Sequence, residues 1–360
     1  MSPSSSSSDP FAFLVAAGPV AELTTATAWV GALLEAEAAL AHASASPAAE
    51  AIAAACDVAN FDVDAIVTEA ALGGNLLIPL LPRLRELAGP DVHRSATSQD
   101  IVDAATALIV RRCAAAVADD LRGAVGTVAA LDRRHGATPM IARTLGQHAV
   151  PTTFATVTAR WHDGLTAAAA ALDRTARQAV WLGGPSGDGT SYGDRHDAIL
   201  RAFADRLDLP AATGSLHSQR LWICDVAGAW GAAAAACAKV ALDVVVLAQD
   251  DVGELTERAE GAGGSSSMPH KHNPIAAISA RAAAMQAPGL VATLLTAAGS
   301  GELERAAGAW HAEWPALRAL LRATASAAHW VGDSLERVRV DTDRMAANLA
   351  VHQARHREAP

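Results

Sequence analysis

Lysine is nearly absent from this chain: in 360 residues it occurs only as Lys239 and Lys271, so arginine carries almost all the positive charge. No basic run breaks a net charge of −10, which excludes nucleic acid and anionic membranes as partners. The four cysteines, Cys56, Cys113, Cys224 and Cys237, show no CxxC spacing and read as reduced thiols of a cytosolic protein. GxGxxG, a Walker loop, zinc spacing and a Ser-His-Asp order are all missing, so the expectation is an enzyme or binding protein with no cofactor and no metal. Phe11–Val20 is apolar enough for a signal core, yet no Lys or Arg precedes Arg83. Without a positive leader the segment is not a signal peptide, and the expected location is the cytoplasm. The apolar run Ala232–Val246 is interrupted by Lys239 and Asp243, so no membrane span is expected.

What the chain has in quantity is alanine, the strongest helix former. Ser4–Ser8 is polyserine, and residues 1–10 read as a disordered tail. Short helices follow over 11–90, punctuated by Ser46-Pro47, Leu81-Pro82 and Gly89-Pro90. Three long proline-free stretches then predict helices over 98–135, 152–183 and 220–260. Helices of that length need partners along their whole extent, which implies a bundle over 91–287. Gly183–Gly189 and 210–218 are loops, Val244–Val246 is helix, and 288–360 is a short C-terminal helical unit. The predicted fold is all-α, three helical segments around a central bundle of long helices.

Four stretches stand out as chemistry. The first, Gly261–Pro274, reads GAGGSSSMPHKHNP. Two prolines stiffen what would otherwise be a linker, and one of the two lysines lies between them. Asn273 is placed to cap a helix that Pro274 opens. The second, Val92–Asp100, reads VHRSATSQD; Thr97 and Asp100 form a capping box for the first long helix. The third, Pro139–Phe154, contains Arg143-Thr144-Leu145-Gly146-Gln147-His148-Ala149-Val150-Pro151-Thr152-Thr153. The fourth is Glu302–Trp314, ELERAAGAWHAEW, a helix in which Trp314 reads as core. His352 and His356 have i,i+4 spacing but read as a solvated face, and His270 and His272 as loop surface or pocket rim.

GSSSMPHKHNP resembles the signature loop of the fumarase/aspartase superfamily, GSSxMPxKxNP. TSQD, QHAVPTT and ERAAGxWxxEW are similar to further segments of the same superfamily, in the same order, and most of all to its cycloisomerase branch. The resemblance implies that Ser265 moves the proton beside a carboxylate and that His148 is the second catalytic residue. It implies that Lys271 and Asn273 hold the carboxylate, with Ser266 and Met268 of the loop nearby. Thr97, Ser98 and Gln99 would bind a further carboxylate, with His93 lining the pocket and Thr144 and Gln147 flanking His148. Arg305 and Arg220 are further candidate clamps. Removing a proton α to a carboxylate builds a dianion that fixed donors must stabilise, and a serine needs nearby positive charge or backbone donors to act as base.

The implied activity is a cofactor-free cycloisomerase closing 3-carboxy-cis,cis-muconate to 4-carboxymuconolactone in aromatic catabolism. Its substrate is a small anionic di- or tricarboxylate, and the implied assembly is a homotetramer whose sites are shared between subunits. Leu145 stands where other branches carry Thr-His, and Arg94-Ser95, Leu303 and His311 also depart from the cycloisomerase pattern. The alternatives are a C–N lyase acting on a substituted succinate and a catalytically silent homologue.

Overall fold

A computed structural model of the chain describes residues 10–258, 260–268 and 270–357, with side chains through 354. Of the expected tail, only Pro10 falls within that range. Helices α1 (Ala12–Val15), α2 (Val20–Leu23), α3 (Ala26–Ala43), α4 (Ala49–Ala55), α5 (Val63–Gly73) and α6 (Leu77–Ala88) come first. Helix α7 (Ser98–His135) then runs 38 residues, about 57 Å at 1.5 Å per residue. A hairpin of β1 (Pro139–Thr144) and β2 (Gln147–Thr153) follows, then α8 (Ala155–Thr175), α9 (His196–Leu207) and α10 (Leu221–Leu247). The chain ends through β3 (Leu255–Glu257), α11 (Ile275–Ala284), α12 (Ala287–Ala298), α13 (Ala309–Arg337), β4 (Val338–Val340) and α14 (Thr342–Arg357).

The long helices form the expected bundle: α7 packs on α3, α8 and α13, and α10 packs on α8, α11, α12 and α13. Their contacts are rich in alanine, with Ala104, Ala105, Ala227, Ala233, Ala280 and Ala327 fully buried. Small side chains let helix axes approach to the short end of the usual 8–10 Å range. Trp161 supplies bulk where alanine cannot; it meets Phe154 edge-on at 6.0 Å and donates its indole N–H to Asp243 at 2.8 Å.

Two of the three predicted long helices are shorter than the sequence suggested. The second starts at Ala155 and stops at Thr175, because Thr152 and Thr153 belong to β2 and Val180 bridges to Ala211. The third stops at Leu247. Past it, Gln249-Asp250-Asp251-Val252-Gly253 turns the chain, with Gly253 at φ +63°, into β3, which pairs antiparallel with β4. The fold is therefore helical with, among the described residues, two small two-stranded sheets. By length and composition α10 and the stretch Ile275–Ala298 could each cross a membrane, yet both pack in the bundle around α13.

His352 is buried against the hairpin, 5.8 Å from the ring of His148, and so is not on the solvated face expected of it. The side chain of His356 lies outside the described residues.

Candidate functional site

The capping box that opens α7 also anchors two distant loops. Asp100 is buried and accepts four hydrogen bonds: from Thr97 N–H at 2.9 Å, Gly183 N–H at 2.7 Å, Gly184 N–H at 3.0 Å and the His217 ring at 2.9 Å. A buried carboxylate with all its lone pairs used fixes everything it touches. Gln99, one residue earlier, is buried too and donates to His217 O at 2.8 Å. Thr97 and Ser98 stay half-exposed at the helix N-terminus, where an anion is favoured. His93 holds Glu37 at 2.6 Å. Arg305 lies alongside, its guanidinium donating to Pro185 O at 3.1 Å.

Arg220 is placed differently from a substrate clamp. It is 3% exposed and directs its donors to Glu313, Asp103 and Leu216 O. Burial alone would lower its pKa, but Asp103 and Glu313 hold it above the ordinary guanidinium range. Burial pushes Glu313 up despite the arginine beside it. With its hydrogen-bonding capacity taken internally, Arg220 cross-links α7, α10 and α13.

At the far end of α7, the β1–β2 hairpin presents His148. Thr144 pairs with Gln147 across the two-residue turn Leu145-Gly146, both at positive φ, +51° and +79°, the pattern of a type I′ turn. The register slips between Ile141↔Pro151 and Arg143↔His148, so β2 carries one extra residue there. Such a bulge re-aims the side chains beyond it, His148 among them. Thr144, Leu145 and Gln147 are exposed and His148 is half-buried. The hairpin is fixed from behind by Arg143, which grips the buried Glu254 through two 2.8 Å bonds; Asn348 of α14 donates to the same carboxylate at 2.8 Å.

The loop over 258–274 is at this same end. Glu257 is buried and accepts Ala276 N–H at 2.8 Å, Ala277 N–H at 3.1 Å and Ser334 O–H at 2.7 Å. Glu257, not Asn273, therefore caps α11, whose first helical residue is Ile275. Asn273 pinches the loop neck instead: its backbone N–H and its side-chain amide both donate to Gly263 O, at 2.8 and 3.1 Å. Ser265 Oγ accepts Met268 N–H at 3.2 Å and Ser267 N–H at 3.4 Å. Backbone donors of this kind favour the ionised hydroxyl. Ser266, Met268, Lys271 and the flanking His270 and His272 are exposed, and Lys271 forms no ion pair among the described residues.

The candidate residues thus fall into two groups. His93, Thr97, Ser98, Gln99, Arg220 and Arg305 gather at the start of α7, while Thr144, Gln147, His148 and the 265–273 loop lie beyond its other end. Sequence reasoning missed Asp100 as an anchor, and it missed His217, Glu254 and Glu257 altogether. Their partners lie up to 118 residues away, so no local pattern reveals them.

A model of the family described as lyase matches residues 20–289. The 3-carboxy-cis,cis-muconate cycloisomerase of Bradyrhizobium diazoefficiens is 41% identical over 88% of this chain and 74% of its own length. Nitrosuccinate lyase of Streptomyces davaonensis is 40% identical over 92% of this chain and 74% of its own. Among solved structures, the 3-carboxy-cis,cis-muconate lactonizing enzyme of Pseudomonas putida superposes with a TM-score of 0.87 at 33% identity, covering 93% of this chain and 78% of that one. With these relatives, this chain belongs to the lyase family of the fumarase/aspartase superfamily.

Proposed function

We propose that the protein is a cycloisomerase interconverting 3-carboxy-cis,cis-muconate and 4-carboxymuconolactone, in the cytoplasm and without metal or cofactor. Relatives so named, at up to 41% identity over most of the chain, carry the assignment. In this reading Ser265 moves the carbon-bound proton, helped by the two backbone N–H groups on its Oγ. His148 orients or balances the attacking carboxylate, which needs no proton because its pKa is about 4. Thr97 and Ser98 bind a substrate carboxylate at the N-terminus of α7, and Lys271 binds another.

The length of α7 supports a site assembled from several chains. Thr97 and His148 are held at opposite ends of a helix about 57 Å long, so both can face one small tricarboxylate only if different copies supply them. Leu242 and Val246 on α10, and Ile275 and Ile278 on α11, are exposed apolar side chains that a second copy would cover. We take the assembly to be a homotetramer. Mixing inactive Ser265→Ala with inactive His148→Ala protein, under conditions that exchange subunits, should restore part of the activity. A fully active monomer in light scattering would exclude the shared site.

One further reading has a specific observation behind it. The 40% identity to nitrosuccinate lyase favours elimination of nitrite from a nitro-substituted succinate. Nitrite, like a carboxylate, leaves as a stable anion without an acid. Incubation with 3-carboxymuconate, nitrosuccinate, adenylosuccinate and aspartate in parallel, with and without EDTA, tests the proposal. 3-Carboxymuconate must be consumed fastest, with EDTA inert, and consumption of nitrosuccinate alone would transfer the assignment.

A further inference from the structure

A cleft of about 360 Å³ opens between α3, the α5–α6 turn, α7 and α13. Its walls are Trp29, Leu33, Leu76, Val102 and Trp314, and Arg318 stands among them. The size is within the usual range for small-molecule pockets, and so is the plan of apolar walls with few polar groups, here Asn75 and Arg318.

The charged group of the cleft, Arg318, is exposed. Arg318 donates its Nε–H to Thr24 O at 2.8 Å, and no carboxylate among the described residues lies within ion-pair distance of it. Arg322, one turn further along α13, also has no acidic partner among them. Arg318 remains exposed to solvent, and partial burial and then the charge of Arg322 lower its pKa. Arg220, Arg143 and Arg112, by contrast, each take a carboxylate. His311 borders the same place: its ring packs on Trp314 at 4.7 Å and its Nε2 lies beside Gly74. It is one of the positions at which the sequence departs from the cycloisomerase pattern.

We propose that this cleft binds a small aromatic monocarboxylate, its ring against Trp29, Leu33 and Trp314 and its carboxylate on Arg318. Charge complementarity sets the head group, and the apolar walls and volume set a body of about one ring. A neutral ligand would leave the guanidinium without an anion, and a di- or tricarboxylate would bury charge against apolar walls. The site is therefore distinct in chemistry from the polycarboxylate site proposed above and does not depend on that assignment.

Isothermal titration with benzoate tests it. Benzoate should bind saturably, with Kd on the order of 1 mM or below for so few atoms, while benzamide and acetate should not bind. Arg318→Gln should weaken benzoate by about tenfold or more, the loss expected of a charged hydrogen bond. Ala71→Phe fills the cleft from an exposed helix position and should abolish binding without lowering Tm. Lys271→Gln should leave it unchanged. Binding that survives both cleft variants, or is lost with Lys271→Gln, or is shared equally by benzamide, would overturn the proposal.

Discussion

Asp100 and His217, 117 residues apart in the chain, are joined at 2.9 Å in a buried contact where one carboxylate ties three backbone segments together. Asp100→Asn would replace one acceptor oxygen with a donor facing N–H groups. The 183–189 and 210–218 loops should then loosen, and destabilisation of about 3–5 kcal/mol is expected, as when one member of a buried charged network is removed. Denaturant unfolding measures it. A loss below 1 kcal/mol would mean that the loops are held by something else.

Two carboxylates, the buried Glu313 and the half-buried Asp103, surround the one guanidinium of Arg220. Arg220→Met should cost about 3–5 kcal/mol, whereas Glu313→Gln should be nearly neutral at pH 7. The pH dependence carries a sign. Glu313 is raised in the folded state, so the fold binds this proton more tightly than the unfolded chain does. The penalty of the ionised form is present above the raised pKa and is relieved as pH falls through it. Wild type should therefore gain stability relative to Glu313→Gln between neutral and mildly acidic pH, as thermal melts across that range would show.

Leu145 sits fully exposed at a left-handed φ of +51°, a conformation costing an ordinary residue about 1–2 kcal/mol. Asparagine tolerates it, so Leu145→Asn should stabilise the protein by about 0.5–1 kcal/mol. If the hairpin tip also lines the shared site, kcat/KM will fall while Tm rises. An unchanged Tm would show that the turn is not strained.

Ser265→Ala should lose several orders of magnitude in kcat, since every reaction proposed here moves a carbon-bound proton. His148→Gln should lose about 10²-fold or less, because neither carboxylate nor nitrite needs a proton to leave. Equal and severe losses on the confirmed substrate would assign His148 a full acid–base role.

Gly263 has φ +76°, and a Cβ there would stand 2.4 Å from Asn273 O. Gly263→Ala should displace the loop neck and reduce kcat by about 10²-fold, the scale of a 1 Å misplacement, with little change in Tm. A variant of wild-type rate would show that the neck does not set the position of Ser265.

The start of α7 was legible because Thr97 and Asp100 form a local signal at the right spacing, and the 261–274 loop because its prolines, glycines and lysine have few other uses. The β1–β2 hairpin was not. Its strands hold Pro139, Pro151 and a bulge, which break the alternation that marks a strand, and Ala155 onward resembles a helix already begun. The three-residue strands β3 and β4 are too short for any periodicity. Asp100 showed only its local half, the cap, while its bonds to Gly183 and His217 exist only once the bundle has formed. Arg220 looked like a clamp because an arginine before a helix has the same sequence signature whether it faces substrate or two acids of its own chain.

Glu257 is the last residue before the serine-rich loop, and its carboxylate also caps the helix on the loop's other side. One side chain thus closes a ring of chain whose interior contributes little to the bundle. Displacement within that ring is separated from the core by this cap and by the Asn273 neck. Changes between Gly261 and His272 can accumulate under selection for turnover alone, while change at Glu257 itself is answerable to folding.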